Sequence, residues 1–249
     1  MSSLRPWFQG CLAAGLAEVC LLVLSAGCAV AAGTPARVPA HVGAAQQLAV
    51  LLTPHGVHQE PEAGSLQTKL VPAHGPITGE PTTLPVIGAL TGPDGVRWLR
   101  VMLPGRPNSS TGWIVQQGTR KLVTDWHIVV DLAARRVQVY SAGHVVRTFQ
   151  AVVGKPSTPT PTGEFFVEET LQMSPGEAGG PFALALSARS DVLQEFEGGP
   201  GQIAIHGREN LGGTLGAAES HGCIRLATAS IEWLAARIGP GTPVTTYAG

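Results

Sequence analysis

"WHIVVDLAARRVQVYSAGHVVRTFQAVV", Trp126 to Val153, decides the fold. In it "WHIVVDL" and "RVQVYS" are joined by the turn "AARR", and "HVVRTFQAVV" follows after "AG". Val137 and Val139 fall on one face with Gln138 on the other, the two-residue period of a half-buried strand. Three strands joined by tight turns read as an antiparallel meander.

Working outward, the same signals recur in both directions. Upstream, "VRWLRVMLPGRPNSSTGWIV" reads as a strand in which Val96, Trp98, Arg100 and Met102 alternate with Arg97, Leu99, Val101 and Leu103. A loop "PGRPNSSTG" and a second strand "WIV" follow, which fits a small β module over 45–120. Trp113 at its end suits a core or inter-domain position better than a ligand contact. "NSS" at Asn108 matches a glycosylation acceptor, a pattern too short to carry weight. Downstream, "GKPSTPTPTGEFFV" places a proline- and threonine-rich loop before a strand, and "FALALSA" and "GQIAIHG" supply later ones. One helix comes late: in "ATASIEWLAARIGPG" the residues Ile231, Leu234, Ala235 and Ile238 share a face, with Thr228 as N-cap and Gly239-Pro240 as the stop.

Composition agrees with a mainly β chain. The 249 residues are 44% hydrophobic and 13% charged, enough apolar material for one sizeable domain or two small ones and too much for disorder throughout. Glycine (32) and proline (20) far outnumber phenylalanine (6) and tyrosine (2), as in a protein of many turns. The formal net charge is -1 and no basic run occurs, which argues against a nucleic-acid partner.

Residues 1–32 read as a targeting segment. Arg5 precedes "VCLLVLSAGCAVAAG", an apolar run of signal-peptide length ending in small residues, and Glu18 shortens it below a clean spanning helix. Export to the periplasm or cell envelope is expected. Two readings of its end stay open. "LSAGC" resembles a lipobox, which would lipidate Cys28 and attach the protein to a membrane, although Ser25 stands where a larger aliphatic residue is usual; simple cleavage near Ala29–Ala32 is the alternative. Residues 33–44, including "TPARVPAHVGA", have linker chemistry.

Cys11, Cys20 and Cys28 fall in that segment, so Cys223, in "ESHGCIRL", is the last thiol of the folded region and has no second cysteine there for a disulfide. Nucleophilic catalysis would need a histidine close in space, and both His221 and His206, the latter ending "QIAIH", qualify. Gly222 lets the backbone approach closely, so that its amide and that of Cys223 are able to face a substrate oxygen. The competing reading, a zinc site from His206, His221 and Cys223, has legitimate ligand types but neither a CxxC pair nor an HExxH helix. No metal or other cofactor is expected.

"IHG", Ile205 to Gly207, followed by "SHGCIRL", Ser220 to Leu226, resembles the signature of L,D-transpeptidases with a YkuD-type catalytic domain. The likeness runs over 123–247, from the hairpins and Pro-Thr-Pro-Thr-Gly loop to the closing helix and strand. The preceding module is similar to the SH3-like domains that accompany such enzymes. The resemblance implies Cys223 as nucleophile, His206 as general base oriented by the Gly207 carbonyl, His221 shaping the pocket, and an oxyanion hole around Gly222 and Cys223. Arg225 is expected near the donor peptide or in support of the loop. Ser220 is expected to contact substrate, with a turn role as the alternative.

The implied reaction is acyl transfer between peptidoglycan stem peptides through a cysteine thioester, giving 3→3 cross-links, with carbapenems acylating the same thiol. Water as acceptor would make the protein an L,D-carboxypeptidase or stem-peptide hydrolase with the same residue roles. An inactive wall-binding protein is the remaining alternative.

Overall fold

The computed structural model describes residues 42–249 apart from Glu197. The expected targeting segment, Cys28 and most of the linker lie outside the described residues.

Strands β1 (Gln46–Leu51), β2 (His55–His58), β3 (Gln67–Val71), β4 (Thr83–Thr91), β5 (Arg97–Met102), β6 (Thr111–Val115) and β7 (Thr119–Thr124) form a seven-stranded antiparallel sheet ordered β3-β2-β6-β5-β4-β1-β7. β5 lies inside this sheet and buries Trp98 and Leu99 as well as Val101 and Met102, so it is covered on both faces where strict alternation was expected. Among the described residues Trp98 is the wholly buried tryptophan; Trp113, on β6, is half-buried.

The remaining elements are β8 (Trp126–Asp131), β9 (Arg136–Ser141), β10 (His144–Gln150), β11 (Val153–Gly154), β12 (Gly163–Gln172), β13 (Phe182–Arg189), β14 (Gln202–His206), β15 (Ala218–Ser220), β16 (Ile224–Arg225), α1 (Thr228–Ala235) and β17 (Pro243–Tyr247). Eight of them make the second sheet, ordered β10-β9-β8-β17-β12-β13-β14-β16, while β11 and β15 pair in parallel beside it. The predicted meander β8-β9-β10 is present, with Val137 and Val139 buried and Gln138 half-exposed between them. Its first turn is closed by Asp131, whose Oδ1 accepts from the Ala134 amide at 2.7 Å.

Helix α1 is the single α-helix among the described residues, and it differs from expectation at both ends. Ala227 is the N-cap and Thr228 the first helical residue, with no side-chain capping bond. The helix stops at Ala235, before Gly239-Pro240, and the Ile238 amide bonds back to Leu234. Ile231, Leu234 and Ile238 are buried in one core with Phe165, Leu184 and Ile205, so tertiary packing fixes this short helix.

β12 joins the two sheets because it is buried on both sides. Phe165 enters the core under α1, and its neighbour Phe166 enters the core of the N-terminal sheet beside Leu84, Leu99 and Val101. Each such ring contributes roughly 1.5–3 kcal/mol by burial. Farther along β12, Glu169 is 1% exposed, and its carboxylate accepts from the Ile77 and Thr78 amides and the Thr78 hydroxyl.

The loop after β5 adds a polar joint. The Gly105 amide donates to Ser187 O at 3.0 Å, and Arg106 donates to the carbonyls of Ser190, Leu193 and Pro200. Asn108 donates to Arg189 O at 2.7 Å and accepts from the Arg189 amide at 2.9 Å.

Candidate active site

The end of β14 carries the predicted histidine, and the predicted cysteine lies just before β16. These strands pair in parallel, Ile205 opposite Ile224 and His206 opposite Arg225. Both isoleucines are fully buried in the core, so the pleat turns His206 and Arg225 to the other face. Cys223 immediately precedes Ile224, just outside β16, so the turn that carries the thiol adjoins the strand end that carries His206. Cys223 is half-buried and not in a disulfide.

His206 is held from one side. Its Nδ1 lies 2.7 Å from Gly207 O, which assigns the ring proton to Nδ1 and leaves Nε2 as the basic nitrogen. Burial, with the Arg225 guanidinium adding to it, pushes the His206 pKa below the ordinary histidine value; backbone hydrogen bonding with Gly207 and Gly179 pulls the other way. The ring is therefore neutral at neutral pH, the state a proton acceptor needs.

The segment behind this histidine was not legible as part of the site. Gly179 and Gly180 press on it so closely that a Cβ on Gly179 would sit 2.7 Å from His206 Nδ1, and one on Gly207 would sit 1.9 Å from Gly180 O. Gly179 also has φ of 90°, a conformation that favours glycine.

The loop carrying Cys223 is fixed from within and from below. Ser220 is 0% exposed; its Oγ donates to Cys223 O at 2.5 Å and accepts from the Gly222 amide at 3.1 Å. Ser220 thus makes the turn contacts given above as its alternative role, and its hydroxyl takes a hydrogen bond from the Gly222 amide. Gly222 itself has φ of 125°, so the turn needs a glycine there.

Below the loop, Thr158 Oγ1 donates to Ser220 O at 3.3 Å and Thr160 Oγ1 to Gly222 O at 2.7 Å, while the Gly154 amide donates to Thr160 Oγ1 at 3.0 Å. Both threonines are buried. The alternating Thr-Pro run, legible only as a loop, is thus a scaffold of hydroxyls that positions the cysteine turn.

Arg225 donates through Nη1 to Gly212 O at 2.9 Å, tying down the loop between β14 and β15. His221 is exposed; Phe196 stacks on it with ring centroids 5.7 Å apart, and Lys155 Nζ lies 3.3 Å from its Nε2. Phe196 and Lys155 are further residues missed in the sequence. Among the described residues no group of three His, Cys, Asp or Glu side chains is placed to hold a metal ion.

Residues 125–245 match the sequence pattern of the YkuD L,D-transpeptidase catalytic domain. The chain is 30% identical over 145 residues to the YkuD protein of Bacillus subtilis, covering 58% of this chain and 73% of that relative. It is also 30% identical over 128 residues to L,D-transpeptidase 1 of Mycobacterium tuberculosis, covering 47% of this chain and spanning about half (48%) of that relative's length. A solved L,D-transpeptidase from Mycobacterium smegmatis aligns with 61% of this chain and 90% of its own at 22% identity and a TM-score of 0.38.

Proposed function

The chain belongs to the L,D-transpeptidase family with a YkuD-type catalytic domain, and on that premise we propose that it joins peptidoglycan stem peptides in 3→3 cross-links through a thioester on Cys223. The observation that carries the reading is the parallel pairing of β14 with β16, which sets Ile205, the residue before His206, opposite Ile224, the residue after Cys223, with His206 Nδ1 anchored on Gly207 O at 2.7 Å.

In this reading His206 Nε2 takes the thiol proton. The thiolate attacks the carbonyl of the third stem residue, the amides of Cys223 and Gly222 carry the oxyanion, and the imidazolium returns the proton to the departing D-alanine amine. An amine from a second stem then attacks the thioester, gives its proton to His206 and restores the thiol. The Gly222 amide also donates to Ser220 Oγ, at 3.1 Å. A carbapenem presents a strained carbonyl to the same thiolate and acylates it. The protein acts outside the cytoplasm, reached through the targeting segment, where its stem-peptide substrates are.

The test is incubation with disaccharide-tetrapeptide and mass spectrometry of the products, alongside Cys223→Ala. A dimer lacking one D-alanine, absent with the variant, is expected. Tripeptide alone would replace transpeptidation by hydrolysis, and no product would overturn both.

A further inference from the structure

Lys155 stands beside the nucleophile loop with an unexplained charge. Its backbone is fixed, because its amide donates to Ser220 O at 2.9 Å where β11 runs alongside β15. Its side chain is half-buried, and Nζ lies 3.3 Å from His221 Nε2, two residues before Cys223. An ammonium donates only, so His221 Nε2 is the acceptor and occupies one of its three N–H groups. The stacked ring of Phe196, itself 42% exposed, keeps the imidazole in that orientation.

Among the described residues no carboxylate forms an ion pair with this cation. Among the described residues the one ion pair is Arg189–Glu168, far from this loop in the sheet, on β13 and β12. Glu219, the acid nearest in sequence to His221, accepts from the Thr214 amide at 2.9 Å. Lys155 is thus steered by two residues of the cysteine loop and left with donors to spare at the edge of the site.

We propose that Lys155 is the carboxylate-binding group of the donor subsite, with His221 and Phe196 as the platform that aims it. The inference rests on the stem-peptide reading and deepens it. Two carboxylates of the donor have the required chemistry: that of the terminal D-alanine, which leaves, and that on the side chain of a third-position diaminopimelate. Either contact would hold the scissile carbonyl over Cys223 by a charge-assisted hydrogen bond.

The experiment is calorimetric binding of the tetrapeptide stem to the Cys223→Ala protein, which does not turn it over, and to Cys223→Ala carrying Lys155→Gln or Lys155→Arg. Lys155→Gln is expected to weaken binding by ~10–100-fold, as for loss of a hydrogen bond to a charged group, and Lys155→Arg to recover most of it. Amidating one carboxylate at a time identifies the source: the amide form that binds weakly to the parent and no worse to Lys155→Gln names the partner. Equal binding to parent and Lys155→Gln would overturn the inference alone, as would a loss that neither amide reproduces. Absence of binding to every protein, with no product from the unsubstituted enzyme, would overturn the stem-peptide reading and this inference with it.

Discussion

The joint between the two sheets and the cysteine loop are both built from side chains that hold main-chain groups, yet they do different work. At the joint, Asn108 satisfies the carbonyl at the end of β13, Arg106 satisfies carbonyls of the segment after it, and Glu169 satisfies amides of the 77–78 turn. At the cysteine loop, Ser220, Thr158 and Thr160 satisfy groups within three residues of Cys223. A bond lost at the joint loosens an attachment; a bond lost at the loop moves the turn that carries Cys223. Damage at the first should therefore register in stability, and at the second in turnover.

Gly207→Ala attacks the second region hardest. The added Cβ would meet Gly180 O at 1.9 Å, and the main chain holding His206 must shift. Cross-linking is expected to fall by ~100-fold or more, as misplacement of a catalytic group by about an ångström does. Steady-state product formation by a variant that still melts cooperatively checks this.

Thr160→Val is gentler. It keeps the shape but strands the Gly154 amide and the Gly222 carbonyl, both met by Thr160 Oγ1. Unsatisfied buried groups cost ~1–3 kcal/mol each, and here the cost falls on the loop, so a drop in kcat of at least ~10-fold is expected. Unchanged kcat with lower stability would place this threonine with the joint.

His127 sharpens the comparison through pH. It donates from Nε2 to Thr245 Oγ1 at 2.9 Å, Thr245 in turn donates to Glu164 at 2.7 Å, and burial lowers its pKa to about 4. Between the unfolded value near 6.5 and about 4 the unfolded chain binds the extra proton, so stability present above pH 6.5 is lost as pH falls through that window. Urea titrations at pH 7.5 and 4.5 should show His127→Gln spared about 2 kcal/mol of the loss, a figure discounted for partial exposure of the ring. Glu164, whose pKa burial raises, is present in both proteins and cancels in the difference.

Asn108→Ala should have the smallest effect. Loss of its two bonds to Arg189 is expected to destabilise by about 1–2 kcal/mol while turnover per folded molecule stays unchanged. A fall in turnover would show that the joint reaches the site.

The sequence was informative where chemistry and period are local. The meander from Trp126 follows from alternation, and the pairing of "IHG" with "SHGC" follows from residue types that few other sites need. What stayed hidden depends on neighbours distant along the chain. Thr160 and Gly222 meet across a 62-residue separation, and Gly179 reaches His206 from another strand's approach. Ser220 kept two readings, substrate contact or turn, because nothing local says that its hydroxyl turns inward to Cys223 O. Thr228 resembles a cap, but the chain enters α1 through Ala227, with packing of Ile231 and Leu234 in place of a capping bond. Trp98 and Trp113 have similar strand contexts; only sheet order buries the first completely.

The central claim is that Cys223, with His206 beside it, carries the acyl group. Rapid acid quenching of the enzyme with tetrapeptide stem and no acceptor amine, followed by intact-mass measurement and peptide mapping, tests it directly. The account predicts an adduct of the stem minus its terminal D-alanine, mapped to Cys223 and lost in both Cys223→Ala and His206→Ala. An adduct on another residue, or turnover of the stem by the Cys223→Ala protein, would contradict it.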